Sequence, residues 1–194
     1  MLEKNLYDIA NSLVLLLKGT PVLLAGDEIR LKGRNEIEKY MQWDNSEGCG
    51  FTENKQVAHY FKNVTGCKNA VLNSIAHTTG GKSLVKIYNE LSELRRKPSL
   101  SWGEVKFNSS IPVVSFVREA AGFAGYLVAA NTGMTPETID FAANLGIPNE
   151  GTLAYFYSPD DMVTSDEFVI GEEISLDNVL LRQGQLLVAE FSRN

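Results

Sequence analysis

The sequence predicts a mixed fold, a short α/β portion followed by an antiparallel β-sandwich, and three observations predict it. An amphipathic stretch, a Gly-Thr-Pro turn and a short apolar run open the chain. A second amphipathic stretch ends at Pro98. Beyond it, short runs rich in β-branched and aromatic residues alternate with turn signals.

Residues 3–18 place Leu6, Ile9, Ala10, Leu13, Val14 and Leu17 at i, i+3, i+4 spacing, which predicts one apolar helix face. Gly19 supplies a C-cap and Pro21 prevents the helix from restarting. Pro21-Val22-Leu23-Leu24-Ala25 is short, apolar and bounded by turn residues. It suits a strand buried on both faces, as in parallel sheets. From Gly26 to Gly81 the chain is polar and irregular, a length that in a compact domain is generally functional or anchored to something. A second helix is predicted from Ser83 to Arg96, with Leu84, Ile87, Tyr88, Leu91 and Leu94 on one stripe. Arg95-Arg96-Lys97 then reads as a solvated helix end. Strands are predicted at 113–118, 126–131, 153–157, 168–170, 178–181 and 186–191. The change of character falls between residues 100 and 111.

Composition narrows the function classes. The 194 residues are 44% hydrophobic and 22% charged, an ordinary globular balance. A net charge of −6 argues against a phosphate-tracking surface, so no nucleic-acid partner is expected. The longest apolar run, Leu13 to Leu17, falls far short of a bilayer span, so no direct membrane insertion by this chain is expected. Charged residues Glu3, Lys4 and Asp8 exclude a signal peptide in the opening stretch. Cys49 and Cys67 share a polar region that also carries the sequon Asn63-Val64-Thr65, and a second sequon follows at Asn108-Ser109-Ser110. Together these favour an oxidising compartment. A Cys49–Cys67 disulfide would close a loop of about 19 residues, worth on the order of 3 kcal/mol; a pair of free, partly buried thiols is the other reading.

Several patterns invite a catalytic or binding role. Ala76-His77-Thr78-Thr79-Gly80-Gly81-Lys82-Ser83 approaches a phosphate-cradling loop, but Ala76 replaces its first glycine. Gly81-Lys82-Ser83 therefore supports a nucleotide-binding module only as a minor alternative. Asp27 and Glu28 follow the apolar run directly, where α/β barrels place functional groups. Adjacent residues there point to opposite sides, so hydrogen bonding to loop backbone is the expected role. Trp43 and Asp44 could line a sugar platform, although an isolated Trp-Asp usually packs. His59 and His77 interleave with the two cysteines at separations of 10, 8 and 10 residues, too wide for a zinc site. No metal or other cofactor is expected, and no Gly-x-Ser-x-Gly elbow is present.

The stretch Leu15 to Ile29, through Lys18-Gly19-Thr20-Pro21 and Ala25-Gly26-Asp27-Glu28, resembles the α-amylase superfamily, glycoside hydrolase family 13. There it marks the seventh helix, eighth strand and following loop of a (β/α)8 barrel. Met41-Gln42-Trp43-Asp44 followed by Gly50-Phe51-Thr52 resembles a motif of its maltase branch, and Ser83 to Arg95 the eighth helix. Ser115-Phe116-Val117-Arg118 and Leu127 to Asn131 resemble the opening strands of its C-terminal β domain. The resemblance implies that residues 1–105 are the last part of a (β/α)8 barrel and 106–194 the antiparallel β domain. It also implies that the family's three catalytic carboxylates precede this chain, with Asp27, Glu28, Trp43 and Asp44 as a sugar-site remnant.

Glu38 stands where the family has a substrate-contacting Arg, Tyr40 where it has Pro, and Arg30 where it has Gly. With the stretch Ser83 to Glu104, these departures resemble the glycoprotein heavy chains of heteromeric amino-acid transporters. That branch implies a non-catalytic ectodomain fragment on the extracellular face of the plasma membrane, from a single-pass protein. Its implied partner is a multi-span light subunit, which the parent stabilises and delivers to the surface. The alternative is the C-terminal part of an α-glucosidase.

Overall fold

The computed structural model describes residues 2–29, 43–44, 46, 48, 50, 52–59, 84–108, 111–159 and 168–193. The chain divides into two compact units, Met1–Pro21 with Leu91–Asn194, and Val22–Glu90.

Helix α1 spans Leu2–Leu16, as the spacing predicts. It buries a different stripe, however. Asp8, Ile9, Ser12, Leu15 and Leu16 are enclosed, whereas Leu6, Ala10 and Val14 of the predicted face are exposed. Two polar residues can stand inside because their oxygens are engaged. Ser12 Oγ donates to the Asp8 carbonyl at 2.8 Å, and the Asp8 carboxylate accepts from Tyr157 Oη at 2.7 Å. Buried polar groups bonded in this way avoid the full desolvation cost.

The run 21–24 is extended, yet it has no strand partner among the described residues. Val22 is 79% exposed, against the expectation of burial on both faces. Parallel strands pair only across long crossovers, and the described strands of this chain all pair antiparallel. Helix α2, Leu84–Leu94, buries Ile87, Tyr88 and Leu91, the stripe its spacing predicts. Helix α3, Pro98–Ser101, follows at once, with Pro98 in its first turn, where a missing N–H is tolerated.

The strands are β1 Glu104–Asn108, β2 Val113–Glu119, β3 Gly125–Asn131, β4 Glu137–Ile139, β5 Glu150–Tyr157, β6 Glu173–Ser175, β7 Val179–Leu181 and β8 Leu186–Phe191. A short helix α4, Phe141–Leu145, lies between β4 and β5; Asp140 caps it by accepting from the Ala143 amide. Six strands form one sheet in the order β1-β2-β3-β8-β5-β6, and β4 pairs with β7 in a second. This is the antiparallel β-sandwich that the sequence predicts after a barrel portion.

Alternation along the central strands builds the core. Leu127 and Ala129 of β3 join Leu187, Ala189 and Phe191 of β8, with Val113 and Val117 of β2 beside them. Phe141, Leu145, Val179 and Leu181 close the layer from α4 and β7. At about 2–3 kcal/mol for each fully buried Leu or Phe, this layer outweighs what the three-residue strands β4 and β6 gain from their few ladder bonds. The other face of β3 is buried too, and α3 packs against β2 and β3. The predicted strand at 168–170 joins no ladder; Phe168 instead stacks against Phe156 with ring centroids 4.6 Å apart.

Candidate functional site

Asp27 opens a single 3-10 turn, Asp27–Ile29, directly after the extended run. Gly26 precedes it at φ +96, a conformation that favours glycine. Each carboxylate folds back onto its own turn: Asp27 Oδ2 accepts from the Leu24 amide at 3.1 Å, and Glu28 Oε2 from the Gly26 amide at 2.8 Å. In this arrangement the two acids hold the turn rather than forming an acid–base pair across one bond.

Trp43 and Asp44 sit in a second tight loop. Asp44 Oδ1 accepts from the Ser46 amide at 2.8 Å, and Ser46 Oγ accepts from the Gly50 amide at 3.0 Å. Gly50 adopts φ +71, and a Cβ there would stand 2.8 Å from Trp43 Cβ and 2.9 Å from Asp44 Oδ2. Gly48 is packed as closely, since its Cβ would meet the Thr52 carbonyl at 2.0 Å. Glycine at position 50 thus lets the backbone pass close to the Trp-Asp pair, and glycine at position 48 lets it pass close to Thr52. The Ser46 hydroxyl and then its amide hold the Asp44 carboxyl below the usual carboxylate range. Asp44 is therefore an ionised acceptor at neutral pH, next to an indole left 47% exposed. An apolar face beside a fixed acceptor is the chemistry that receives a sugar ring and its hydroxyl.

Among the other predicted residues, Asn108 lies at the end of β1 with its amide nitrogen buried. His59 is exposed on a helical turn over 55–59. Cys49, Cys67, Asn63, His77, Gly81, Lys82 and Ser83 lie outside the described residues, as do Arg30, Glu38 and Tyr40. No cluster of potential metal ligands occurs among the described residues.

Two arginines that the sequence reading gave no such role converge on the C-terminal end of α1. Arg95 donates to the Leu17 carbonyl at 2.9 Å and also to those of Leu15 and Gly19. Arg118, fully buried, donates from Nη1 to the Leu16 carbonyl at 3.0 Å and from Nη2 to the Gly103 carbonyl at 3.0 Å. Both guanidiniums lie where helix carbonyls lack intrahelical partners and the dipole is negative. Burial, and then the charge of Arg95, pulls the Arg118 pKa below its ordinary value. Arg95 is thus not the solvated helix end that its basic cluster predicts. Its partners lie 76 to 80 residues upstream, beyond the reach of local periodicity.

Neither a protein-family model nor a curated protein sequence matches the chain. Solved structures do. A trehalulose synthase MutB mutant in complex with glucose matches at TM-score 0.68 and 16% identity, covering 97% of this chain and 38% of its own. A MutB mutant in complex with the substrate sucrose gives TM-score 0.66 at 17% identity, with the same coverage. MutB from Pseudomonas mesoacidophila MX-45 gives TM-score 0.65 at 17% identity, again with that coverage. The chain spans about 38% of the length of these enzymes.

Two expectations are corrected by this likeness. The reading of the chain as non-enzymatic is overturned, because the structures that share its fold are enzymes, one of them bound to its substrate. The placement as a single-pass plasma-membrane ectodomain is overturned as well. A solved structure that shares the chain's fold is a synthase from Pseudomonas mesoacidophila MX-45. Nothing in the likeness supports the transporter heavy-chain reading. The chain therefore shares its fold, an α/β portion followed by an antiparallel β-sandwich, with about 38% of the trehalulose synthase MutB chain.

Proposed function

We propose that this chain is the C-terminal part of an enzyme acting on α-glucosides, in which Trp43 and Asp44 border the bound sugar. The observation that carries this reading is the closed loop from Trp43 to Thr52. It fixes an ionised carboxylate beside an exposed indole, within a fold shared with enzymes solved with glucose and sucrose. The indole offers a flat apolar face and Asp44 accepts from a hydroxyl. Asp27 and Glu28 support the preceding turn through its backbone and do not themselves attack the substrate. The antiparallel sheet and the two arginines hold the C-terminal end of α1, from which that turn continues.

The test is turnover of sucrose and maltose by the full-length protein that contains this chain. Asp44→Asn should lower kcat/KM by about tenfold, equivalent to roughly 1.4 kcal/mol, because the amide no longer offers two accepting oxygens. Trp43→Ala should raise KM more than it lowers kcat. Wild-type rates in both variants would remove the proposed site.

A further inference from the structure

At one end of the six-stranded sheet, two aromatic side chains stand in solvent. Trp102 is 58% and Phe123 54% exposed. Their ring centroids are 5.6 Å apart with planes at 89°, so the rings form the two walls of a corner. Large apolar side chains left in contact with water at one spot commonly mark a binding surface.

The corner is built on rigid supports. Ser99, fully buried, accepts from the Ala120 amide at 3.1 Å and donates to the Ala124 carbonyl at 2.5 Å. That one hydroxyl ties α3 to both sides of the β2–β3 turn that carries Phe123. The Trp102 amide closes on the Pro98 carbonyl at 3.0 Å, and the Phe123 amide on that of Ala120 at 3.1 Å. Gly103 allows the close approach, since a Cβ there would stand 2.7 Å from the Glu119 carbonyl. Gly122, at φ +80, has no atom within 4 Å of where its Cβ would be, so the space beside Phe123 is open. Positions fixed before binding lower the entropy that a ligand must offset.

The surroundings select the ligand class. Ala121 and Gly122, both exposed, adjoin the rings, and the Arg193–Glu119 ion pair, Nε to Oε1 at 2.5 Å, lies at the same end of the sheet. A protein partner needs about 800 Å² on each side. Two rings of roughly 150–250 Å² each, set among small and charged residues, fall well short of that. A single pyranose ring fits: its C–H face lies against an aromatic wall while its rim of hydroxyls meets charged donors and acceptors.

We propose that Trp102 and Phe123 form a saccharide-binding site for a glucopyranose unit, additional to the loop of Trp43 and Asp44. The choice of a glucosyl ligand rests on the enzymatic reading above; the aromatic corner does not. The chain holds two tryptophans, so it gives two indole N–H resonances, and titration with maltotetraose reads each site separately. The Trp102 signal should move saturably in wild type and stay still in Phe123→Ala. Should that variant lose its folded backbone spectrum, Phe123→Leu, which keeps bulk without a ring, serves the same purpose. A stationary Trp102 signal, equal movement without the Phe123 ring, or equal movement on adding glycerol would each overturn the proposal. Failure of the catalytic reading would show differently, as absent turnover in the full-length protein with the Trp102 response intact.

Discussion

Arg118 and Leu16 lie 102 residues apart in the chain, yet Arg118 Nη1 meets the Leu16 carbonyl at 3.0 Å inside the protein. The bond joins strand β2 to the last residue of α1, and the same guanidinium also reaches Gly103. Removing it leaves two carbonyls without this donor in a buried setting. Arg118→Ala is expected to cost on the order of 3–5 kcal/mol, and Arg118→Lys less but still clearly measurable, because an ammonium cannot span both carbonyls as the planar fork does. Urea unfolding of the chain reads both values. A loss under about 1 kcal/mol in Arg118→Ala would show that the latch is not needed.

Tyr157 Oη donates to the buried Asp8 carboxylate at 2.7 Å. Tyr157→Phe keeps the ring packed and removes only the hydroxyl. Its cost should be about 1.5–3 kcal/mol, the range for a hydrogen bond to a charged group. The same unfolding measurement checks it.

Gly125 faces Phe191 across the β3–β8 pair, and a Cβ on it would stand 2.4 Å from the ring. Phe191 is buried and cannot swing aside freely. Gly125→Ala should therefore destabilise by about 1–3 kcal/mol through overpacking. Combined with Phe191→Leu, the two losses should sum to less than their separate values, which a double-mutant cycle measures.

The Glu150 carboxyl is held above its ordinary pKa, first by its hydrogen bond with Glu173 and then by that neighbour's charge. A raised folded-state pKa means the folded state binds the extra proton, so stability falls as pH rises through the carboxylate range and recovers on acidification. Glu150→Gln removes the repulsion. Its Tm should exceed wild type at neutral pH, and the gain should shrink both with added salt and below the carboxylate range. Glu104 behaves in the opposite sense: the Lys18 hydrogen bond holds its pKa down, so its contribution is present at neutral pH and is lost as pH falls through the lowered value.

Legibility in the sequence followed the size of the hydrophobic signal. β3 and β8 are long and apolar, and they appear within a residue of where β-branched and aromatic runs place them. β1 escaped notice because Glu-Val-Lys-Phe-Asn sits at an edge and is largely polar; β4 and β6 are three residues each. The buried stripe of α1 departs from the apolar spacing because Asp8 and Ser12 belong to it, and the partner that makes Asp8 tolerable, Tyr157, is 149 residues away. At the candidate site, the residue types of Trp43 and Asp44 were visible in the sequence. The closure around them was not, since it depends on Gly50 at positive φ and on Ser46 linking both ends of the loop.

Strand β8 is the last of the described strands in sequence order, but it lies between β3 and β5 inside the six-stranded sheet. While the polypeptide is being synthesised, the preceding strands have a vacant central slot, with β3 and β5 each presenting an open hydrogen-bonding edge to it. Ordering of this half must wait until Leu186–Phe191 emerge, and a product terminated before Leu186 would expose two open strand edges. Truncation or frameshift anywhere before Leu186 should thus reduce soluble yield.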